Sequence, residues 1–242
     1  MPASTAGPVV RLQTVSKVYR TEKVAVQAIS AVTLAIAPQR FSMIVGPSGS
    51  GKTTLLNLIG CIDAASTGLV EVCGQDVGKL SDNTLADFRA RHIGFIFQSF
   101  NLMPVLTAAE NVEYPLILLG MKASERRRRV AAMLDAVGLA AEAGRRPNEL
   151  SGGQKQRVAV ARALVKQPSL VLADEPTANL DSHNGAAIIA LMRRMQEEAR
   201  TSFVFSTHDP ELMAHSDETF TIRDGALVGH EPHGRMATGE VA

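Results

Sequence analysis

A chain of 242 residues with 45% apolar content suits one large globular domain, or one domain with a lobe inserted into it. Its formal net charge of +1 argues against a general nucleic-acid binder, and no window approaches the ~18 uninterrupted apolar residues of a membrane helix. The first eight residues lack the basic start and apolar stretch of a signal peptide, and Cys61 and Cys73 form neither a zinc-like cluster nor a disulfide framework, so both are read as small core residues in a reducing compartment.

In chain order, residues 1–8 read as a loose tail. Strands are predicted at 9–12, 32–36 and 41–45, a helix at 52–59, another at 85–91 and a strand at 93–97. From about residue 101 to 166 the signal is almost all helical, with helices at 124–137 and 153–165, which points to an inserted helical lobe. Apolar runs at 170–173 and 203–206 read as strands on either side of a helix at 186–199, and residues 230–242 read as a second tail. Buried strands alternating with helices imply an α/β fold with a mainly parallel sheet. The four arginines at 126–129 read as a solvated helix face.

Gly46, Pro47, Ser48, Gly49, Ser50, Gly51, Lys52 and Thr53 match G-x-x-x-x-G-K-[ST], between a predicted strand and a predicted helix, and Thr54 follows. Glycines let the backbone wind so that successive N–H groups face phosphate oxygens, and the helix N-terminus adds partial positive charge. In such a loop Lys52 reaches the β- and γ-phosphates and the Thr53 hydroxyl ligates Mg²⁺. A guanine-reading [NT]-K-x-D element is absent, which leans toward ATP.

The run 169–173 is apolar and ends in two adjacent carboxylates, Asp174 and Glu175. A strand-end carboxylate suits the metal of a Mg²⁺-nucleotide site, the role read for Asp174. Beside it, Glu175 is placed to orient and deprotonate the attacking water.

Leu150, Ser151, Gly152, Gly153 and Gln154 precede a second helix pattern, with Ser151 a natural N-cap and the two glycines open to close approach by phosphate. One chain therefore holds two anion-binding helix starts, while a nucleotide has one γ-phosphate. The economical arrangement is two copies head to tail, each closing its Ser151 helix over the nucleotide held by the other's phosphate loop.

Together these segments resemble the nucleotide-binding subunit of the ABC ATPase family over about residues 9–229. Leu150 to Gln154 is similar to the family's signature motif, and Leu150 stands 19 positions before Ser169, as the family pattern expects. The resemblance implies a P-loop NTPase with a RecA-like, mainly parallel sheet core, an antiparallel β subdomain and an inserted helical subdomain. It also implies roles. Tyr19 resembles the aromatic that stacks on adenine, with its hydroxyl of little consequence. Gln98 resembles the glutamine that touches Mg²⁺ and water and senses a membrane partner. Asp181, in Asn179-Leu180-Asp181, belongs to a loop that crosses the dimer interface, and His208 resembles the histidine that holds the γ-phosphate. The other five histidines are read as surface residues. Lys52, Gln98, Glu175 and His208 are thus the expected catalytic set, and Thr53, Gln98 and Asp174 the expected metal contacts.

Residues 94–112, 172–181 and Leu58-Ile-Gly-Cys-Ile-Asp63 further resemble the lipoprotein-release and macrolide-efflux group (LolD/MacB-like). That implies a homodimer around two ATP, driving a separately encoded integral membrane permease from the cytoplasmic face of a bacterial inner membrane. The chain would be peripheral, held to the membrane only through that partner, with no nucleic acid involved. A non-transporting regulator, such as a cell-division complex, is the alternative. Phe100, Leu102, Met103, Val105 and Leu106 cluster just after Gln98 and are read as the docking surface. One departure from the family is Pro38-Gln39-Arg40, where a Gly-Glu turn is usual.

Overall fold

The computed structural model describes residues 7–20, 24–207 and 215–233. Its first elements are β1 (Val10–Arg20), β2 (Ala25–Ile36), β3 (Phe41–Val45), α1 (Lys52–Ile59), β4 (Thr67–Val72), β5 (Gln75–Asp76), α2 (Asp82–His92) and β6 (Ile93–Ile96). There follow α3 (Ala108–Leu118), α4 (Ala123–Ala136), α5 (Gly152–Leu164), β7 (Leu170–Asp174), α6 (Ser182–Ala199), β8 (Ser202–Thr207), β9 (Glu218–Arg223) and β10 (Ala226–Pro232).

Two sheets form. A six-stranded sheet runs β10-β9-β3-β8-β7-β6, parallel except for β10 on one edge. A four-stranded antiparallel sheet runs β2-β1-β4-β5. The central strands are buried on both faces. Phe41, Met43, Phe203 and Phe205 enter a core under α3, α5 and α6, while Ile44, Val204 and Leu172 enter a second core with α1 and the antiparallel sheet. The Phe41 ring centroid lies 4.8 Å from Phe205 and 5.5 Å from Phe203. A strand covered on both faces reads as an unbroken apolar run, which is why these strands are legible in the sequence.

The antiparallel sheet is less legible. β1 continues eight residues beyond Leu12, but register shifts between Leu12 and Val18 and the left-handed backbone of Thr14 (φ 51°) break the alternation. At the other end, β10 pairs with β9 as far as Pro232, so His230, Glu231 and Pro232 belong to the sheet rather than to a tail. The His230 ring stacks on Phe220, and its Nε2 meets Glu218 Oε2 at 3.0 Å. Of the rest of the two expected tails, 1–6 and 234–242 lie outside the described residues.

α3, α4 and α5 pack on one another. Thr107 with Glu110 and Ser151 with Gln154 form reciprocal capping boxes at α3 and α5. The arginine run is more than a solvated face. Arg126 Nε donates to Glu113 Oε1 at 2.8 Å and ties α4 to α3, whereas Arg128 and Arg129 share Glu125 within their own helix. At the Pro38-Gln39-Arg40 turn, Gln39 takes φ 57°, a conformation that glycine adopts without cost, and is held by Ser202 Oγ and Gln196 Nε2.

Candidate functional site

The loop between β3 and α1 forms one wall of a cleft of about 740 Å³. Gly46 and Gly51 are required by it. A Cβ on Gly46 would lie 2.1 Å from the Ile222 carbonyl oxygen, and one on Gly51 would lie 2.6 Å from that of Ala28. Gly51 caps α1 in a left-handed conformation with no side-chain bond, which leaves the first-turn N–H groups open toward an anion. Lys52 is drawn into the loop. Its ammonium donates to Gly46 O at 2.8 Å and Pro47 O at 3.1 Å, and stands 3.8 Å from Glu175 Oε1. The Ser50 hydroxyl is buried at 4% exposure without a hydrogen-bond partner, the kind of orphan that an oxygen-rich ligand beside the loop would satisfy.

The opposite wall is the end of β7. Thr53 Oγ1 donates to Asp174 Oδ1 at 3.2 Å, and Ser206 Oγ on β8 donates to the same oxygen at 2.6 Å. The backbone N–H of Glu175 in turn donates to Ser206 Oγ at 3.0 Å. Glu175 itself is in the left-handed region (φ 46°), a strain that fixes where its carboxylate leaves the strand and enters the cleft. A hydroxyl and a carboxylate side by side, next to a phosphate-shaped loop, are the hard oxygen donors that Mg²⁺ takes together with phosphates, so the residues present fit that ion. Gln98 lines the cleft, and Asn179 Nδ2 donates to its carbonyl at 2.8 Å. At the far rim Tyr19 lies across from Val26 in the β1–β2 register, and Val26 lines the cleft.

Comparison with known proteins decides what this cleft belongs to. Residues 29–178, more than half of the chain, match the ABC transporter family. The chain belongs to that family. It is 41% identical over 228 residues to the lipoprotein-releasing system ATP-binding protein LolD of Hahella chejuensis, covering 94% of this chain and 99% of that one. To the macrolide export ATP-binding/permease protein MacB of Brucella melitensis it is 43% identical over 221 residues, covering 91% of this chain and 34% of that protein. Among solved structures, the dimeric ATP-binding cassette MJ0796 bound to ADP and Pi superposes with a TM-score of 0.85 at 41% identity, over 92% of this chain and 98% of that one. This cassette is an ATP-binding and ATP-hydrolysing subunit with the P-loop NTPase α/β fold.

One group of the predicted residues does not reach the cleft of its own chain. Ser151, Gly152, Gly153 and Gln154 start α5 beside the Asn179–Asn184 segment, with Leu180 Cδ2 and Asn184 Oδ1 the nearest atoms to the two glycines. Asp181 caps α6, and hydrogen bonds from the backbone and side chain of Asn184 hold its carboxyl below the usual range. His208 lies outside the described residues.

The predicted docking run 100–106 is pinned rather than loose. Asn111 is fully buried and holds Met103 N through Oδ1, and Met103, Leu106 and Thr107 carbonyls through Nδ2. Leu102 packs on the core, while Val105 is 73% exposed. The open groove lies next to that run. It has a volume of about 330 Å³ between α2, β6, α3 and α5, and is lined by Phe95, Phe97, Pro115, Leu118, Arg162 and Lys166. Burial there pushes the Lys166 ammonium down to about 8, while it donates to the Arg89 and Ala90 carbonyls at the end of α2.

Sequence reasoning missed Ser206, Val26 and the Asp224–Gly225 turn, all of which touch this site. Only strand register brings them there. The Asp-Gly pair was the one readable signal, since it marks a hairpin.

Proposed function

We propose that two copies of this cassette close head to tail around two ATP molecules, and so drive a separately encoded permease in export, lipoprotein release or mechanical transmission across an inner membrane. The observation that carries the two-copy site is the start of α5. Neither Gly152 nor Gly153 has a left-handed backbone, and neither is crowded by backbone of its own chain. A Cβ on Gly153 would stand 3.2 Å from Asn184 Oδ1, but at Gly152 it would meet only ordinary contacts at 3.5 Å or more, so no contact within the chain calls for glycine at Gly152, and a phosphate held by another copy supplies the reason. The dimeric state of the MJ0796 cassette supports the same reading.

In each composite site, Lys52 leaves the Gly46 and Pro47 carbonyls for the β- and γ-phosphates, and the N–H groups of residues 48–54 surround the phosphate oxygens. Bound Mg²⁺ would offset charge on those phosphates, held by Thr53, Asp174 and Gln98. Glu175 accepts the proton of the attacking water. His208 holds the γ-phosphate, and Ser151 and Gly153 of the other copy complete its shell. Asp181 lies along the interface. The groove beside residues 100–106 receives the permease at the cytoplasmic face, and the chain is peripheral there. Among the described residues no helix is long and apolar enough to cross a membrane.

Complementation tests the two-copy site. Lys52→Ala and Ser151→Arg should each abolish hydrolysis as homodimers. Mixed, they place both lesions in one site and leave the other intact, so activity should return. A mixture that stays dead would mean that each chain carries its own complete site.

A further inference from the structure

Tyr19 is the penultimate residue of β1 and 40% exposed, so packing alone holds its ring loosely. It is fixed by charge instead. Its hydroxyl donates to Asp63 Oδ2 at 2.8 Å, and the Lys17 ammonium donates to Asp63 Oδ1 at 2.5 Å and to the Ala64 carbonyl at 2.8 Å. The same ammonium stands 4.8 Å from the centroid of the Tyr19 ring and engages one face of it. Asp63 is itself anchored. Its backbone N–H donates to Asn57 O at 3.2 Å, beside the Ile62–Asn57 bond of 2.9 Å, and Ala64 N donates back to its carboxylate at 2.8 Å. These bonds hang Asp63 on the last turn of α1, whose first turn carries Lys52 and Thr53.

We propose that Asp63 is the positioning residue of the adenine seat: with Lys17 it locks the Tyr19 ring for base stacking, at a distance from the phosphate loop set by α1. This rests on the reading of Tyr19 as the stacking residue. The helix is a strut of eight residues, roughly 12 Å at ~1.5 Å per residue. One end orients the triphosphate and the other, through Asp63, orients the ring, so the two ends of a nucleotide are measured by one rigid element. A ring already held in its bound rotamer also loses less freedom when the base arrives. The charge state of the cluster agrees. Burial followed by the Asp63 bond holds the Tyr19 phenol above its usual range, against an opposing pull from Thr54. Burial would raise the Asp63 carboxyl, but the Lys17, Tyr19 and Ala64 donors together hold it below the usual range. The hydroxyl of Tyr19 therefore has a role that a stacking aromatic alone would not give it.

The test compares ATP with tripolyphosphate, which has phosphates and no base, as ligands of the full chain by calorimetry. Tyr19→Ala should weaken ATP by about tenfold or more, as loss of base stacking does. Asp63→Ala should weaken ATP by about three- to tenfold, Asp63→Asn and Tyr19→Phe by less, and none should change tripolyphosphate binding. KM for ATP should rise with kcat steady. The chain has two tyrosines and no tryptophan, so a Tyr114→Phe background isolates the Tyr19 phenol, and Asp63→Ala should lower its near-ultraviolet titration midpoint. Asp63→Asn keeps an acceptor for Ala64 N and guards against simple unfolding. If Tyr19→Ala binds ATP normally, the seat lies elsewhere and the proposal falls with it. If Tyr19→Ala weakens ATP while Asp63→Ala does not, the seat stands and the positioning role is overturned. Equal losses for ATP and tripolyphosphate in Asp63→Ala would make Asp63 a support of the phosphate loop, which also overturns it.

Discussion

The starts of α1 and α5 look alike in sequence, each a serine beside glycine with a lysine within the first turn or just after it, yet they are built in opposite ways. α1 begins at a left-handed Gly51 with no side-chain cap, and its lysine folds onto loop carbonyls. α5 begins at Ser151, whose hydroxyl accepts from Gln154 N at 3.2 Å while Gln154 Oε1 accepts from Ser151 N at 2.9 Å. The first is an unfinished helix end, with donors exposed until an anion arrives. The second is finished without a ligand, at the ~1 kcal/mol typical of a cap. A surface lent to another molecule has to hold its shape alone, and a surface that grips its own ligand does not. The difference suits the roles proposed for the two ends, in which α1 binds and α5 closes over what another copy has bound.

The largest effect that sharpens this contrast is chemical and belongs to the α1 side. Glu175→Gln keeps shape and charge-free hydrogen bonding but cannot take a proton, so kcat should fall by roughly 10² to 10⁴ while ATP binding survives. Turnover within about twofold of the unmodified chain would remove Glu175 from the role of base. The same variant should accumulate as a nucleotide-held dimer in light scattering, which brings the α5 end of a second copy onto an intact α1 end.

Much of this site was readable because its parts are contiguous. The phosphate loop, the Asp174–Glu175 pair and the Ser151 cap each lie within a few residues, where spacing alone fixes geometry. Asp63 and Ser206 were not readable in the same way. Ser206 is a small polar residue ending an apolar strand, and it gains meaning only because β8 pairs it with Asp174. Asp63 was noticed as part of a group resemblance, but its bond to Tyr19 spans 44 positions. Of the fold, the doubly buried strands and α1 emerged to within a residue or two. β4, β5 and β9 did not, because edge and hairpin strands rich in Thr, Gly and charge carry too weak an apolar pattern.

The next effect breaks the α1 end by its backbone. At Gly51 any side chain meets both φ 106° and the Ala28 carbonyl at 2.6 Å. Strain of about 3 kcal/mol corresponds to roughly 10²-fold in an equilibrium constant, so Gly51→Ala should lower ATP affinity by about that factor and destabilise the chain. Calorimetry and thermal unfolding read both, and an unchanged affinity would mean that the loop relaxes at no cost.

The smallest effect on the chain itself, and the most telling for the contrast, is Gly152→Ala. A Cβ there meets Leu180 Cδ2 at 3.5 Å and Asn179 O at 3.8 Å, both ordinary van der Waals contacts, and the residue is already helical. Replacing a helical glycine by alanine gains about 0.5–1 kcal/mol, so the variant should be as stable as the unmodified chain or melt a few degrees higher. ATP binding to the single chain should be unchanged, because α5 does not reach its own cleft. Hydrolysis should nevertheless fall by about tenfold or more, because the added methyl stands where a phosphate of the other copy approaches. The same protein would then be better folded and worse at its chemistry, a combination that a glycine serving only its own helix cannot produce. If stability and turnover instead rise together, α5 is merely a capped helix, and the difference between the two ends has no bearing on catalysis.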